Sequence, residues 1–403
     1  MAAPCRRPMP AGPASARGAA VTVITDFLPM KTRSVRRVAR ACLAALSMTI
    51  ALPSAIPSAS AAAPRAWLVA KGSAQAVLVG ESHLGTPVEN DGYYDTVVQP
   101  AYAVADAAVM ETYFGPEQLR GEAFERGAPC AGDPRDRQTT RLGPAFAALI
   151  AATRANGLPV PDWMSNWNVM PEFLLTSIYL DRFAGEALGP AYDAAIERQG
   201  GPGVSLRLRA TANAPRTMLG LDTLKNLRTQ FCAASASVRQ DYLADKVDKT
   251  AALLRLKLAD PAYAGLGDLA TVMGRVVAAQ WRCVDRATPC ELDAPGDDTR
   301  RLRQAGWITG YSAGTVELAL RQRTLAWLPL ITRAIGDHRR TFVIVGALHL
   351  PDLRVDGRVE PGLVTLLRRQ GFSVTPIGGA ADIQATFLAP TWRERLRATL
   401  GGL

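Results

Sequence analysis

Histidine is scarce in this 403-residue chain, with three copies, His83, His338 and His349. Other things are missing altogether. Beyond the amino-terminal leader no run approaches the roughly 18 apolar residues needed to span a bilayer, so no spanning helix is expected there. There is no G-x-S-x-G elbow, and Ser82 directly precedes His83, so the two side chains diverge rather than meet as nucleophile and base. Neither a phosphate-cradling P-loop nor a G-x-G-x-x-G after a strand occurs, which leaves a nucleotide cofactor without support. None of the six cysteines stands in a C-x-x-C pair, so thiolate metal binding lacks its usual spacing.

Basic charge is plentiful, with a net of +10, but it is not spread evenly. Lys31 to Arg40 is a basic run, Ala41 to Leu52 an apolar stretch too short to span, and Ala59-Ser60-Ala61 a small-x-small cleavage pattern. Residues 1–61 therefore read as a signal peptide, with Met30 an alternative start and an uncleaved anchor the competing reading. They hold eight Lys/Arg and one Asp, leaving 38 basic and 35 acidic residues, a net of about +3 for the remainder. That remainder offers no case for nucleic-acid binding and is expected to be periplasmic or secreted. Export suits disulfides. Cys283 and Cys290, enclosing a short loop with Pro289, are the preferred bridge, which leaves Cys130 with Cys232.

Two of the three histidines share one setting. Ala76-Val77-Leu78-Val79-Gly80-Glu81-Ser82-His83 and Thr341 through His349 are both apolar, β-branched runs that read as buried strands, each followed by G-x-x-H. The glycine in each is expected to let the chain turn. His338, among charges in a turn, reads as solvated.

Taken in order, Ala66–Ala70 and Ala76–Val79 predict a hairpin around Lys71-Gly72-Ser73. Residues 93–105 have Tyr94, Val97, Val98, Ala101, Tyr102 and Ala105 on one helical face, with Pro100 expected to kink it. Ala107–Met110 predicts a strand ending on Glu111. Residues 114–140 read as an excursion rich in Gly, Pro and charge. Helical periodicity follows at 143–156, 171–188 and 192–199, interrupted by the aromatic loop Trp163–Asn168, read as a buried clamp in preference to a substrate wall. Met218–Thr223 reads as a strand whose Asp222 caps the next helix. Helices are expected over 238–258, 266–281 and 315–335, and an exposed charged stretch over 291–303. After His349 come a turn at Asp356-Gly357, a helix over 362–369 and a strand over 372–377. The expectation is an α/β (α+β) fold: a central mixed sheet flanked by many helices, two related halves each bearing a G-x-x-H turn, and a helical middle region. One domain over residues 62–403, with a helical insertion at about 114–335, accommodates it.

Imidazoles and a carboxylate at strand ends make a candidate three-donor site for a divalent metal, with zinc, manganese, iron or cobalt all suited by ligand type. His83, His349 and Glu111 are the candidate metal ligands. Glu81 is the candidate acid/base, Glu111 an alternative, and Asp222 a candidate support behind the ligands. The bland alternative is that each His simply satisfies a turn.

At these residues the chain resembles the TraB/GumN family, which is similar to the Tiki metalloproteases and more distantly to erythromycin-esterase-like and ChaN-like proteins. The matching segments are Val79–Pro87, Ala105–Glu111, Gly220–Thr223, Arg323, Ile344–Leu350, Gly362-Leu363 and Gly371–Val374. The resemblance implies a mixed sheet wrapped by helices with both G-x-x-H turns and Glu111 at one site. Through the Tiki branch it implies a divalent metal and peptide cleavage. Asp222 departs from the family's usual Glu, and Thr324 stands where Asn is common. The resulting expectation is an exported metal-dependent hydrolase acting on a peptide or another amide or ester bond of a small-molecule substrate. Arg323 is expected to hold a substrate carboxylate or an oxyanion. A non-catalytic protein holding a peptide, metal or haem in the same cleft is the alternative.

Overall fold

The structure is a computed structural model that describes residues 65–82, 86, 89, 91–112, 130, 141–180, 183–184, 187, 203–259, 264–286, 288–291, 310–355, 357–390 and 399–400. The leader, His83, the helix expected over 192–199, the charged stretch from 292 and all of the 114–140 excursion except Cys130 lie outside these residues.

Nine strands are described: β1 (Ala66–Lys71), β2 (Ala74–Glu81), β3 (Ala107–Thr112), β4 (Thr217–Asp222), β5 (Cys290–Glu291), β6 (Arg340–Gly346), β7 (Leu353–Val355), β8 (Arg358–Glu360) and β9 (Ser373–Ile377). Six of them form the central sheet in the order β4-β3-β6-β2-β1-β9, and β5-β7-β8 form a small second one. Neighbours β4/β3, β3/β6 and β6/β2 are parallel, whereas β1 runs antiparallel to both β2 and β9. The sheet is mixed, as expected, with a parallel block of four strands.

Strand alternation divides the core between two faces. Leu78, Val109, Val343 and Val345 point to one face, where they meet Trp281 and the helices Arg323–Asp337 and Leu363–Arg369. Val77, Val79, Met110, Phe342 and Ile344 point to the other, against Tyr94, Val97, Ala101 and Tyr102. The crossover from β2 to β3 thus packs on one face, and the helix Leu363–Arg369 between β6 and β9 packs on the opposite one. Adjacent parallel strands whose connections leave to opposite faces open a crevice at their carboxyl ends, where ligands of open α/β sheets usually bind.

The 93–105 segment buries its expected face, but it starts as a π-helical turn, Tyr94–Val98, before the α-helix Gln99–Val104. That wide turn places Pro100 at the start of the α-helix, where its missing N–H is tolerated. The Trp163–Asn168 stretch is a short helix and a 3-10 turn rather than a loop. Trp167 stacks on Phe146 at 4.8 Å, and Trp163 packs edge-on to Phe146 and Phe183, in a satellite core between the helices Leu142–Ala155 and Ala236–Ala259. Both anticipated disulfides are present, Cys130–Cys232 and Cys283–Cys290, with Cα separations of 5.1 and 5.6 Å. Among the described residues no helix is long and apolar enough to cross a membrane.

Candidate site at the carboxyl edge of the parallel strands

The four parallel strands end level with one another. Glu81, the last residue of β2, is in register with Gly346, the last of β6, and Thr112 of β3 with Asp222, the last of β4. One edge therefore carries Asp222, Glu111, the turn Ala347–His349 and Glu81, all four acidic or imidazole side chains being buried.

The glycines act differently from expectation. Gly346 has φ −55°, an ordinary value, and its N–H donates to Glu111 Oε2 at 2.8 Å. Gly80 is still within β2, and a Cβ there would lie 2.6 Å from Leu350 Cδ1 and 3.3 Å from Ala347 Cα. It is small because the His349 turn packs against it, not because the chain bends.

The long helix supplies the rest. Ser312 caps it, a π-helical turn Val316–Gln322 shifts its phase, and Arg323, Thr324 and Trp327 then face the strand ends. Arg323 Nη2 donates to Glu111 Oε1 at 2.5 Å and also to Asp222 Oδ2, which accepts a further bond from Nε at 3.1 Å. Trp327 Nε1 donates to Asp222 Oδ1 at 2.7 Å. Asp222 is not the cap of the following helix; Thr223 is, its hydroxyl accepting from Asn226 N–H at 3.1 Å. Arg323 joins the two carboxylates to each other, which is a different task from the substrate contact the sequence suggests.

Burial pushes the Asp222 carboxyl above its ordinary range; the Arg323 charge and the Arg323 and Trp327 hydrogen bonds oppose the rise, and the Glu111 charge adds to it. For Arg323 burial works against the charge, yet Glu111 and Asp222 hold the guanidinium above its usual value.

His349 lies over the Trp327 ring, centroids 4.4 Å apart, with Nδ1 2.7 Å from Thr324 Oγ1. Glu81 accepts Ser205 N–H at 2.8 Å, which ties it to the start of the helix Val204–Arg209. Glu89 is a residue the sequence reading missed. It accepts from Ser82 N–H (2.7 Å), Ser82 Oγ (2.6 Å) and Thr86 Oγ1 (2.7 Å), bracketing the segment that carries His83. Burial pushes Glu89 upward, those bonds oppose it, and the Glu81 charge adds to the rise. The Thr86-x-x-Glu89 spacing, a capping-box pattern, was the available signal.

Among the described residues no group of three or more His, Cys, Asp or Glu is placed to hold a metal ion, and His83 lies outside them. The donors that are described fit a divalent cation in kind: His349 is an imidazole, and Glu111 and Asp222, when both ionised, outnumber the single guanidinium between them.

A family model described as TraB/PrgY/gumN family matches residues 66–376, which takes in β1 to β9 almost entirely. No curated protein and no solved structure shows significant similarity to the chain.

Proposed function

The chain belongs to the TraB/PrgY/gumN family, and from that premise we propose that it is an exported, metal-dependent hydrolase of a peptide or another amide or ester bond. The observation that carries the reading is the level ending of β4, β3, β6 and β2, which gathers Asp222, Glu111, His349 and Glu81 at one crevice from positions up to 268 residues apart in sequence.

In this reading His349, Glu111 and His83 would hold the cation, whose chemistry there would be to lower the pKa of a water and polarise a carbonyl. The chain's own residues do the remaining work. Gly346 N–H and Arg323 fix the Glu111 carboxylate from two sides, so it enters the site without conformational search. Asp222 and Trp327 in turn fix Arg323. Glu81, at the end of β2 and held by Ser205, is the group assigned to take a proton from the attacking water and return it to the leaving group. The basic leader and the two disulfides support export.

The test is metal analysis of the purified mature protein, followed by hydrolysis of a peptide and ester library with added zinc, manganese or cobalt. Stoichiometric metal and turnover, both lost in His349→Ala, are expected. Absence of metal, with His83→Ala and His349→Ala unchanged in every assay, overturns the reading. Retained metal with no turnover across the library converts it to a binding protein.

A further inference from the structure

We infer that Thr324 is a positioning residue that locks neutral His349 in its Nδ1–H tautomer and so leaves Nε2 as the ring nitrogen that carries the lone pair. The inference rests on the proposed function only for what Nε2 meets; the proton on Nδ1 follows from the hydrogen-bond accounting at Thr324 Oγ1.

Thr324 Oγ1 is 2.6 Å from the carbonyl oxygen of Leu320, one turn earlier in the same helix, and 2.7 Å from His349 Nδ1. A hydroxyl has one hydrogen. A carbonyl oxygen can only accept, so at 2.6 Å that hydrogen must lie on the Leu320 contact. The Thr324 oxygen then has only lone pairs to present to Nδ1, and Nδ1 must donate. In neutral imidazole, with Nδ1 protonated, Nε2 carries the lone pair. Thr324 and His349 are both about 5% exposed, so water is a poor substitute for either partner. The ring is also held from a second side, because Trp327 packs against it with centroids 4.4 Å apart and planes tilted by 46°, and is itself held by Asp222. Thr324 and Trp327 stand three residues apart in the α-helix that follows the Val316–Gln322 turn, so they share one face and meet the same imidazole. Second partners of this kind commonly orient a ligating histidine, and removing one weakens metal affinity roughly 10- to 100-fold.

The experiment is nitrogen NMR of metal-free, histidine-labelled protein at a pH where the imidazoles are neutral, with the His349 signals assigned by their loss in His349→Gln. Wild type is expected to show a protonated-type Nδ1 and a lone-pair-type Nε2. Thr324→Val, nearly the same shape, should lose that signature to a tautomer mixture or to Nε2–H, and Thr324→Ser should restore it. Zinc titration of the same samples should give wild-type affinity for Thr324→Ser and a 10- to 100-fold loss for Thr324→Val. An Nε2–H signature in wild type, or an unchanged signature in Thr324→Val, overturns the inference. If Thr324→Val does not fold, the wild-type and Thr324→Ser spectra decide alone. An Nδ1–H signature in a wild type that takes up no divalent metal sustains the tautomer and removes the metal reading, so the two fail separately.

Discussion

Replacing Arg323 by Met should unbalance two buried acids at once. The Asp222 side chain is 1% exposed and that of Glu111 8%, and in the native site the Arg323 guanidinium, 19% exposed, pairs with both. Met keeps most of the length and the packing on Trp327, over which the Arg323 guanidinium lies at 4.7 Å, so the chief loss is charge. Removing one partner of a buried pair costs about 3 to 5 kcal/mol. With a urea m-value of about 3 kcal/mol/M, the unfolding midpoint should fall by about 1 to 2 M at neutral pH. The pH dependence supplies the sharper signature. The folded Asp222 pKa already lies above its unfolded value of 3.8, so the folded state binds the extra proton and this group's contribution falls as pH rises through that window. Without Arg323 the fall becomes steeper, and the deficit relative to wild type should shrink as pH is lowered toward 4. Asp222→Asn in the Arg323→Met background should recover part of the loss. Urea titrations of the three proteins across pH 4 to 8 measure all of this. Parallel curves for Arg323→Met and wild type, less than about 1 kcal/mol apart, would refute the claim that the guanidinium balances the pair.

Gly314→Ala should destabilise by about 3 kcal/mol or prevent folding, because its Cβ would sit 2.4 Å from Val238 O and 2.6 Å from Tyr242 N, both backbone atoms. Gly336→Ala, late in the helix Arg323–Asp337 with nothing within 4 Å, should instead stabilise by about 0.5 to 1 kcal/mol; thermal melts of the pair check both signs. Thiol labelling of unreduced, denatured mature protein should find no free thiols, and opening the Cys130–Cys232 bridge, with its separation of 102 residues, should destabilise by about 4 to 5 kcal/mol. Glu89→Ala leaves the Ser82 N–H without its acceptor, a loss of about 1 to 3 kcal/mol. Because the folded Glu89 pKa lies above 4.5, its contribution in wild type falls as pH rises from 4.5 through the folded value, and Glu89→Gln should flatten that slope in a stability–pH series.

What the sequence discloses is what is local. β2 and β6 are continuous apolar runs because both faces of the parallel block are covered, and such runs can be read directly. The fold class, the strands at both G-x-x-H segments and the strand that carries Glu111, which runs one residue further to Thr112, follow from that. The roles of the charged residues do not, since each depends on a distant partner. Asp222 precedes a helix and looks like its cap; the cap is the next residue, Thr223, and the partners of Asp222 are Arg323 and Trp327, more than 100 residues later. Arg323 looks available for substrate until Glu111 and Asp222 are placed beside it. The π-helical turns at 94–98 and 316–322 leave no mark in the apolar spacing, yet the second one aims Arg323, Thr324 and Trp327. Gly80 was visible as a glycine, but its reason is the packed turn across from it rather than its own backbone angles.

The position of β6 also dictates when this molecule can fold. It lies inside the sheet, hydrogen-bonded to β2 on one side and β3 on the other, yet Arg340 emerges 265 residues after its partner Gln75. Until that strand arrives, β2 and β3 are separate edges with no parallel neighbour between them, and the four-strand block cannot zip together. The parallel block could therefore not close until the last sixth or so of the chain had been synthesised. Nascent fragments ending before residue 340 would present two unpaired apolar edges, a template for association with one another and a natural target for holding chaperones.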